Sequence, residues 1–165
     1  MKKTLLLGLL LFVSQFSQAQ AFSGNGDEKF QVGGNFQNRG TGITASMDFG
    51  VAENLSYGFV ATYLLNTERI NGIKANFEDR ADVKVRINAN IGNILGLGDA
   101  VDFYPGLHLG TRNFGGHLGF RYFFSEGFGL YSEASTPLAK YKNNPVGFDH
   151  LNNQFVFNFG AVFNF

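Results

Sequence analysis

The sequence predicts an all-β fold in which eight antiparallel strands run up and down and close into a barrel. Three observations lead to this prediction. The chain contains 22 Gly and 20 Phe but only three Pro, a composition that favours strands and tight turns over helices. Eight segments alternate between polar and apolar residues with the period of two that strands require. The last segment, residues 154–165, places five Phe on one face and ends the chain on an aromatic residue.

The first three predicted strands occupy residues 29–37, 42–51 and 55–65. Short polar turns at 38–40 and 52–54 separate them, as expected for hairpins. A long polar insertion, residues 66–79, follows the third strand and is predicted to be a loop.

The fourth predicted strand, residues 80–91, has the most regular pattern. Six polar or charged residues alternate there with six apolar ones without an exception, which indicates a strand with two different environments on its faces. The fifth, sixth and seventh strands are predicted at residues 101–111, 115–124 and 128–138. A second long insertion, residues 139–153, precedes the closing strand.

The N-terminus predicts a secretory signal peptide over residues 1–21. Two lysines precede nine apolar residues, 5–13, and a polar stretch that ends in small residues, which is the pattern of a signal peptide. Nine apolar residues are fewer than the roughly 20 that a spanning helix needs. Two positions fit the small-x-small rule, so cleavage is expected after Ala19 or after Ala21.

Charge and cysteine content exclude several classes of protein. Without the two signal-peptide lysines the chain has 11 basic and 13 acidic side chains, which gives no electrostatic basis for binding nucleic acid. The absence of Cys excludes a disulfide framework and a lipid-anchored cysteine. Residues 22–165 are predicted to form a single domain. No long apolar run follows Ala21, so a chain that crosses a membrane would cross it as strands.

The strand pattern predicts a transmembrane barrel. Each predicted strand approaches the roughly 9 to 11 residues that a tilted strand needs to span a bilayer. The apolar face is expected to contact lipid, and both long insertions then lie outside the cell if the N-terminus is periplasmic. Outward-facing aromatic residues at the periplasmic ends predict an interfacial girdle. They are Phe49, Tyr57, Phe103, Tyr122, Phe124, Phe128, Phe163 and Phe165.

Nine formal charges are predicted to form an interior network. Such charges are tolerated inside a protein only when they pair and form hydrogen bonds, and the near balance of signs predicts that they do. An eight-stranded barrel has an interior that side chains can fill, although the inward glycines leave a narrow polar conduit open as an alternative. The nine residues are Lys29, Asp48, Arg80, Asp82, Lys84, Arg86, Asp102, Arg121 and Glu133.

Candidate chemistry is limited to one histidine pair. His108 and His117 lie on the same inward face of a predicted hairpin, where they could hold a metal or relay a proton. Two polar side chains that fill the barrel are the more ordinary interpretation. We therefore expect no catalytic residues, no metal site, no cofactor and no enzymatic activity.

The signal peptide, the eight alternating strands, the two long loops and the terminal F-x-F resemble the small eight-stranded outer-membrane β-barrels. Examples are outer-membrane protein X, the barrel domain of outer-membrane protein A and short barrel families of unknown function. The resemblance covers the whole mature chain and rests on architecture. It implies a location in the outer membrane of a Gram-negative cell envelope, contact with outer-membrane lipid, and a C-terminal signal read by the barrel-assembly machinery. The residues that match this assembly signal are Phe157, Phe159, Phe163 and Phe165.

The expected function is structural, or surface recognition and adhesion, by a monomeric, porin-like barrel without enzymatic activity. Exposed loops on a rigid scaffold are where recognition usually lies, which directs attention to loops 66–79 and 139–153. The extracellular ligand or partner is not identified by the sequence. A different interpretation is a secreted or periplasmic calycin-like barrel that binds a small apolar ligand. In that protein the Phe face would point inward and the charged face outward.

Overall fold

The computed structural model describes residues 20–142 and 146–165. The predicted signal peptide therefore lies outside the described residues as far as Ala19, and loop 139–153 is described only in part. One short helix, α1, spans Phe77–Arg80. The strands are β1 Glu28–Gln37, β2 Gly40–Ala52, β3 Leu55–Thr67, β4 Ala81–Ala89, β5 Val101–Gly110, β6 Asn113–Ser125, β7 Phe128–Lys140 and β8 Val156–Asn164.

The eight strands form one closed, up-and-down ring. Each strand pairs antiparallel with the next one along the chain, and β8 pairs antiparallel with β1. Lys29 lies opposite Asn164 and Phe36 opposite Phe157 at the closing seam. The predicted all-β class, the strand number and the antiparallel order are confirmed.

The two ends of the ring differ in their connections. The N-terminal segment and the connections β2–β3, β4–β5 and β6–β7 lie at one end, which we call the turn end. The connections β1–β2, β3–β4, β5–β6 and β7–β8 lie at the other, the loop end. Both long insertions predicted from the sequence are at the loop end.

Both predicted boundaries of each long insertion are wrong. Residues 66–79 are not all loop, because β3 continues to Thr67 and α1 begins at Phe77. A capping box between Asn76 and Asp79 starts this helix, since the two residues satisfy each other's backbone donors. The closing strand begins at Val156 instead of residue 154, and β7 continues to Lys140.

Polar residues point into the ring and apolar residues point out. The inward positions of β4, for example, hold Asp82, Arg86 and Asn88, all buried, while Val83, Val85 and Ile87 are exposed. This polarity is the reverse of that in an ordinary soluble protein, whose apolar side chains are the most often buried. Among the described residues, no helical segment has the length and apolar character that crossing a membrane would require.

Small apolar clusters close both ends of the ring interior. Ala21, Phe123, Tyr131 and Val162 pack together at the turn end. At the loop end the cluster consists of Leu64, Ala75 and Leu151, with Phe148 against it. The charged side chains lie between these two clusters, so the ring encloses a polar layer.

Candidate functional site

Arg86 on β4 is the most connected side chain of the interior polar layer. Its Nε and Nη2 atoms each donate to the Asp48 carboxylate, both at 2.7 Å. Its Nη1 donates to Glu133 Oε2 at 2.6 Å, and Nη2 also donates to Gln31 Oε1 at 2.8 Å. A guanidinium has five donors in a fixed fork, and this arrangement uses that fork for two carboxylates and a neutral amide.

Arg121 on β6 is the second cation of the layer. It also donates to Asp48, and its Nη1 lies 3.2 Å from Asp102 Oδ2. The guanidinium carbon is 3.9 Å from the centre of the Tyr104 ring, within the range of a cation–π contact. Asp48 is thereby shared by two arginines, so the layer is one connected network instead of a set of separate pairs.

Two inward glycines create the gaps across which these groups meet. Gly58 on β3 is in register with Asp48 on one side and with Arg86 on the other, and a methyl group at position 58 would overlap Asp48 Oδ1. Gly119 on β6 stands in the same way between Tyr104 and Glu133. Residues two strands apart can therefore contact each other, because the strand between them has no side chain there.

Lys29 is held at the turn end by a partner that the sequence analysis missed. Its ammonium donates to Asp27, and it also donates to Asn164 Oδ1 at 2.7 Å. Asp27 precedes β1 and was not assigned to any strand. The period-two pattern could have identified it, since residues 27 and 29 fall on the same face of an extended chain.

At the loop end, Asp82 and Lys84 lie inside the ring, whereas Arg80 does not. Lys84 Nζ is 3.6 Å from Asp82 Oδ2, and Thr111 donates to Asp82 Oδ1 at 2.6 Å. The prediction that Arg80 belongs to the interior network is wrong. Arg80 ends α1, donates to the Leu64 carbonyl at 2.6 Å and lies over Tyr63 at the rim, because the helix turns its side chain away from the strand pattern.

His108 and His117 are brought together as the sequence suggested. Their rings are 5.8 Å apart and nearly parallel. His117 Nε2 lies 2.7 Å from Asn88 Oδ1, and His108 Nε2 lies 3.3 Å from Asn113 Oδ1. In the described part of the chain, no group of three or more His, Asp or Glu is arranged to hold a metal ion. Their contacts with Asn88 and Asn113 make both histidines part of the hydrogen-bonded filling of the ring.

The interior has almost no free volume beside this histidine pair. A cavity of about 10 Å³ is bounded by Arg86, His108, His117 and Glu133, among other side chains. A cavity of that size holds about one water molecule. Side chains also occupy the space above four inward glycines: Asp48 lies over Gly58, His117 over Gly106, Lys84 over Gly110 and Tyr104 over Gly119.

The loop end carries a larger cleft of about 270 Å³. Its walls come from three places in the chain: Glu78 from α1, Arg112 from the β5–β6 turn, and Tyr141, Lys142 and Asp149 from the β7–β8 loop. Hydrogen bonds tie these walls together, because Arg112 Nη2 donates to the Glu78 carbonyl at 2.5 Å and Lys142 donates to Asp149 at 2.8 Å. The Lys142 hydrogen bond holds the pKa of Asp149 below its usual range, so Asp149 is charged at neutral pH.

The outward face is mostly apolar over the length of the strands, with the hydroxyls of Ser132 and Thr136 on β7 among the exceptions. In the strands as described, the exposed charged residues are Glu28 at the start of β1 and Lys140 at the end of β7. Phe157, Phe159 and Phe165, three of the four residues of the predicted assembly signal, are exposed on β8 and at its end. The fourth, Phe163, is half-buried because its ring packs 5.6 Å from that of Phe128.

The fold and the site define the class of this protein. It is an all-β protein of eight antiparallel strands, with a charged and filled interior and a mostly apolar exterior. The chain belongs to a family of unknown function, DUF6646, whose model matches residues 12–165. No curated protein matches the sequence. The family description names no activity, ligand or membrane.

Proposed function

We propose that this chain is a monomeric outer-membrane β-barrel without enzymatic activity, which serves in surface recognition or adhesion through its loop end. The observation that carries the proposal is the outward face of the strands between their ends, which has no exposed charge and which we call the outer belt. Side chains at the middle of the strands, such as Phe59, Val85 and Leu107, are about half exposed. In water a continuous apolar surface of this kind would drive association, whereas in a bilayer it is the surface that lipid contacts.

Aromatic packing at the turn end supports the same location. The rings of Phe30, Phe163, Phe128, Phe124 and Tyr122 form an unbroken chain of contacts, with centroids 5.1 to 6.3 Å apart. Amphipathic and aromatic residues are enriched where a barrel passes through the headgroup region. Longer loops lie outside the cell in barrels of this class, and both long insertions are at the loop end, so we assign the turn end to the periplasmic interface and the loop end to the cell exterior.

The filled interior favours a structural or recognition role over the two alternatives. A calycin-like ligand binder needs an apolar cavity, but the charged face points inward here and leaves about 10 Å³ beside the histidines. A polar conduit needs a continuous opening, but apolar clusters cover the polar layer at both ends.

The loop-end cleft is large enough for a small polar ligand and has donors, acceptors and the exposed ring of Tyr141. We assign recognition to this cleft and the loops around it.

Membrane fractionation tests the location. We expect the protein in the outer-membrane fraction, released by detergent and not by alkali or urea washing. Unboiled and boiled samples should migrate differently on a denaturing gel, because a closed barrel resists unfolding. A soluble monomer in the periplasmic extract would contradict the proposal.

Cysteine labelling of intact cells tests the orientation, since the chain has no native Cys. Lys74→Cys, in the exposed β3–β4 loop, should react with a membrane-impermeant maleimide. Glu126→Cys, in the exposed β6–β7 turn, should react only after the cells are broken, and Val83→Cys on the outer belt only after denaturation. Labelling of position 126 and protection of position 74 would reverse the assignment of the two ends.

A further inference from the structure

The segment in front of β1 is built into the turn end of the ring. Ala21 is 1% exposed and packs against Phe123, Tyr131 and Val162. Its backbone N–H donates to the Asp99 carbonyl at 2.6 Å, which ties it to the β4–β5 connection. Ala21 is thus a closing residue of the interior and not a free chain end.

The residues that follow Ala21 are also fixed in place. Ser23 donates to Asp27 Oδ2 through its backbone N–H at 2.6 Å and through its hydroxyl at 2.9 Å. Two backbone hydrogen bonds join this segment to Gly50 on β2. Gly26 N–H donates to Gly50 O at 3.0 Å, and Gly50 N–H donates to Asp27 O at 2.7 Å. Asp27 in turn accepts from the buried ammonium of Lys29. Residues 21–27 therefore form a short plug, which covers Lys29 and the apolar cluster from the turn end.

We propose that the signal peptide is removed between Ala19 and Gln20, so that Ala21 stays in the mature protein as the tip of this plug. The inference rests on the proposed export of the chain. The signal peptide is removed before the chain folds. The structure therefore bears on the cleavage position by showing which residues the folded mature protein uses. Both candidate cleavage positions satisfy the small-x-small rule, but only the first keeps the residue that fills the turn end.

The charge created by cleavage favours the same position. A new α-amino group is charged at neutral pH, and a charge placed against apolar side chains without a partner is unfavourable. Gln20 is exposed, so an ammonium group on it remains in water. Cleavage after Ala21 would instead place the ammonium on the half-buried Phe22, whose chain neighbour Ala21 belongs to the apolar cluster, and would remove the N–H that the Asp99 carbonyl accepts.

The N-terminal peptide of the protein extracted from the outer membrane gives the test. We expect its mass, determined by mass spectrometry, to correspond to a chain that begins at Gln20. Ser17→Phe puts a bulky residue at the third position before the first site and leaves the second site intact, so this variant should begin at Phe22. Gln18→Phe changes the neighbouring residue but neither small position of the first site, and it should begin at Gln20 like the wild type.

The Ser17→Phe variant also tests the plug itself. Without Ala21, its barrel should lose the folded gel form at a lower temperature than the wild type and the Gln18→Phe variant. A wild-type protein in the outer membrane that begins at Phe22 would overturn the inference and leave the proposed function standing. An equal unfolding temperature of the variant that begins at Phe22 would overturn the role of Ala21. A soluble, uncleaved protein would overturn the proposed export together with the inference.

Discussion

Arg86 and Asp48 form a bidentate ion pair across an intervening strand. They lie on β4 and β2, and two hydrogen bonds of 2.7 Å join them over the backbone of Gly58 on β3. Both side chains are almost completely buried. A buried pair of this kind is strongly destabilised when one partner is removed, because the other charge is left without compensation.

Replacing Arg86 with Leu should therefore lower the free energy of unfolding by about 3 to 5 kcal/mol, the usual cost of breaking a buried ion pair. Asp48 keeps Arg121 as a partner, but Glu133 loses the ion pair that Arg86 provides. The measurement is urea unfolding of the purified protein in lipid vesicles. The control is Val85→Leu on the outer belt, one residue away, which should have almost no effect. Equal stability of the two variants would contradict the contribution of the buried Arg86 ion pairs, and a more damaging Val85→Leu would show that the faces of β4 are assigned in reverse.

A methyl group at Gly58 should disrupt the same contact by steric overlap. Gly58→Ala would place a Cβ atom against the Asp48 carboxylate, and such overpacking typically costs about 1 to 3 kcal/mol. Gly116→Ala is the matched control, because its Cβ atom would be 3.7 Å from the nearest side chain, an ordinary contact. Thermal loss of the folded gel form compares the two. If Gly116→Ala proved the more damaging, the gap at Gly58 would have no part in the stability of the network.

These glycines also show where prediction from the sequence ends. The period of two places Asp48, Arg86, Arg121 and Glu133 on the inward face, and the structure has all four there. Their pairing depends on the register of three neighbouring strands, which the alternation of a single strand does not specify. For that reason the inward glycines could be interpreted as a conduit, although side chains such as Asp48 above Gly58 and Tyr104 above Gly119 occupy the space.

The errors at the loop end have a local cause. Arg80 continues the alternation of β4, so the pattern alone places it inside the ring. The capping box of Asn76 and Asp79 instead starts a helix of four residues, and this helix ends at Arg80. A helix of one turn gives no periodic signal that could compete with twelve alternating residues. Asp27 lies in the plug before β1, so an assignment that begins the alternation at Lys29 misses it, although residue 27 has the same parity.

Charge placed on the outer belt tests the proposed membrane location. Val85 is 45% exposed at the middle of β4, and Leu138 is 63% exposed near the loop end of β7. In a bilayer, Val85→Arg should cost about 2 to 4 kcal/mol and Leu138→Arg about 0 to 1 kcal/mol, because the penalty decreases from the midplane to the interface. Urea titration in lipid vesicles measures both values. Similar, small costs at the two positions are the result expected of a surface in water, and they would contradict the membrane assignment.

The loop end should be needed for recognition but not for forming the barrel. Replacing residues 141–155 with a tight turn removes most of the cleft walls, yet loop-closure entropy depends only weakly on loop length. Leu151 is lost from the apolar cluster, so we expect a heat-modifiable barrel of reduced stability. A milder variant, with Arg112 and Tyr141 both changed to Ala, leaves that cluster intact and should fold with little change.

The effect on function is measured as the adhesion of intact cells. Each strain carries one variant or the wild-type protein, in equal amounts at the cell surface. Both loop-end variants should lose the adhesion that the wild-type protein confers on a strain lacking it. The comparison variant is His117→Ala, which changes the interior and leaves the cleft untouched, and it should adhere normally if its barrel forms. The opposite result would assign recognition to the interior. In that case the loop-end variants would adhere normally, whereas His117→Ala would form a folded barrel at the cell surface and fail to adhere.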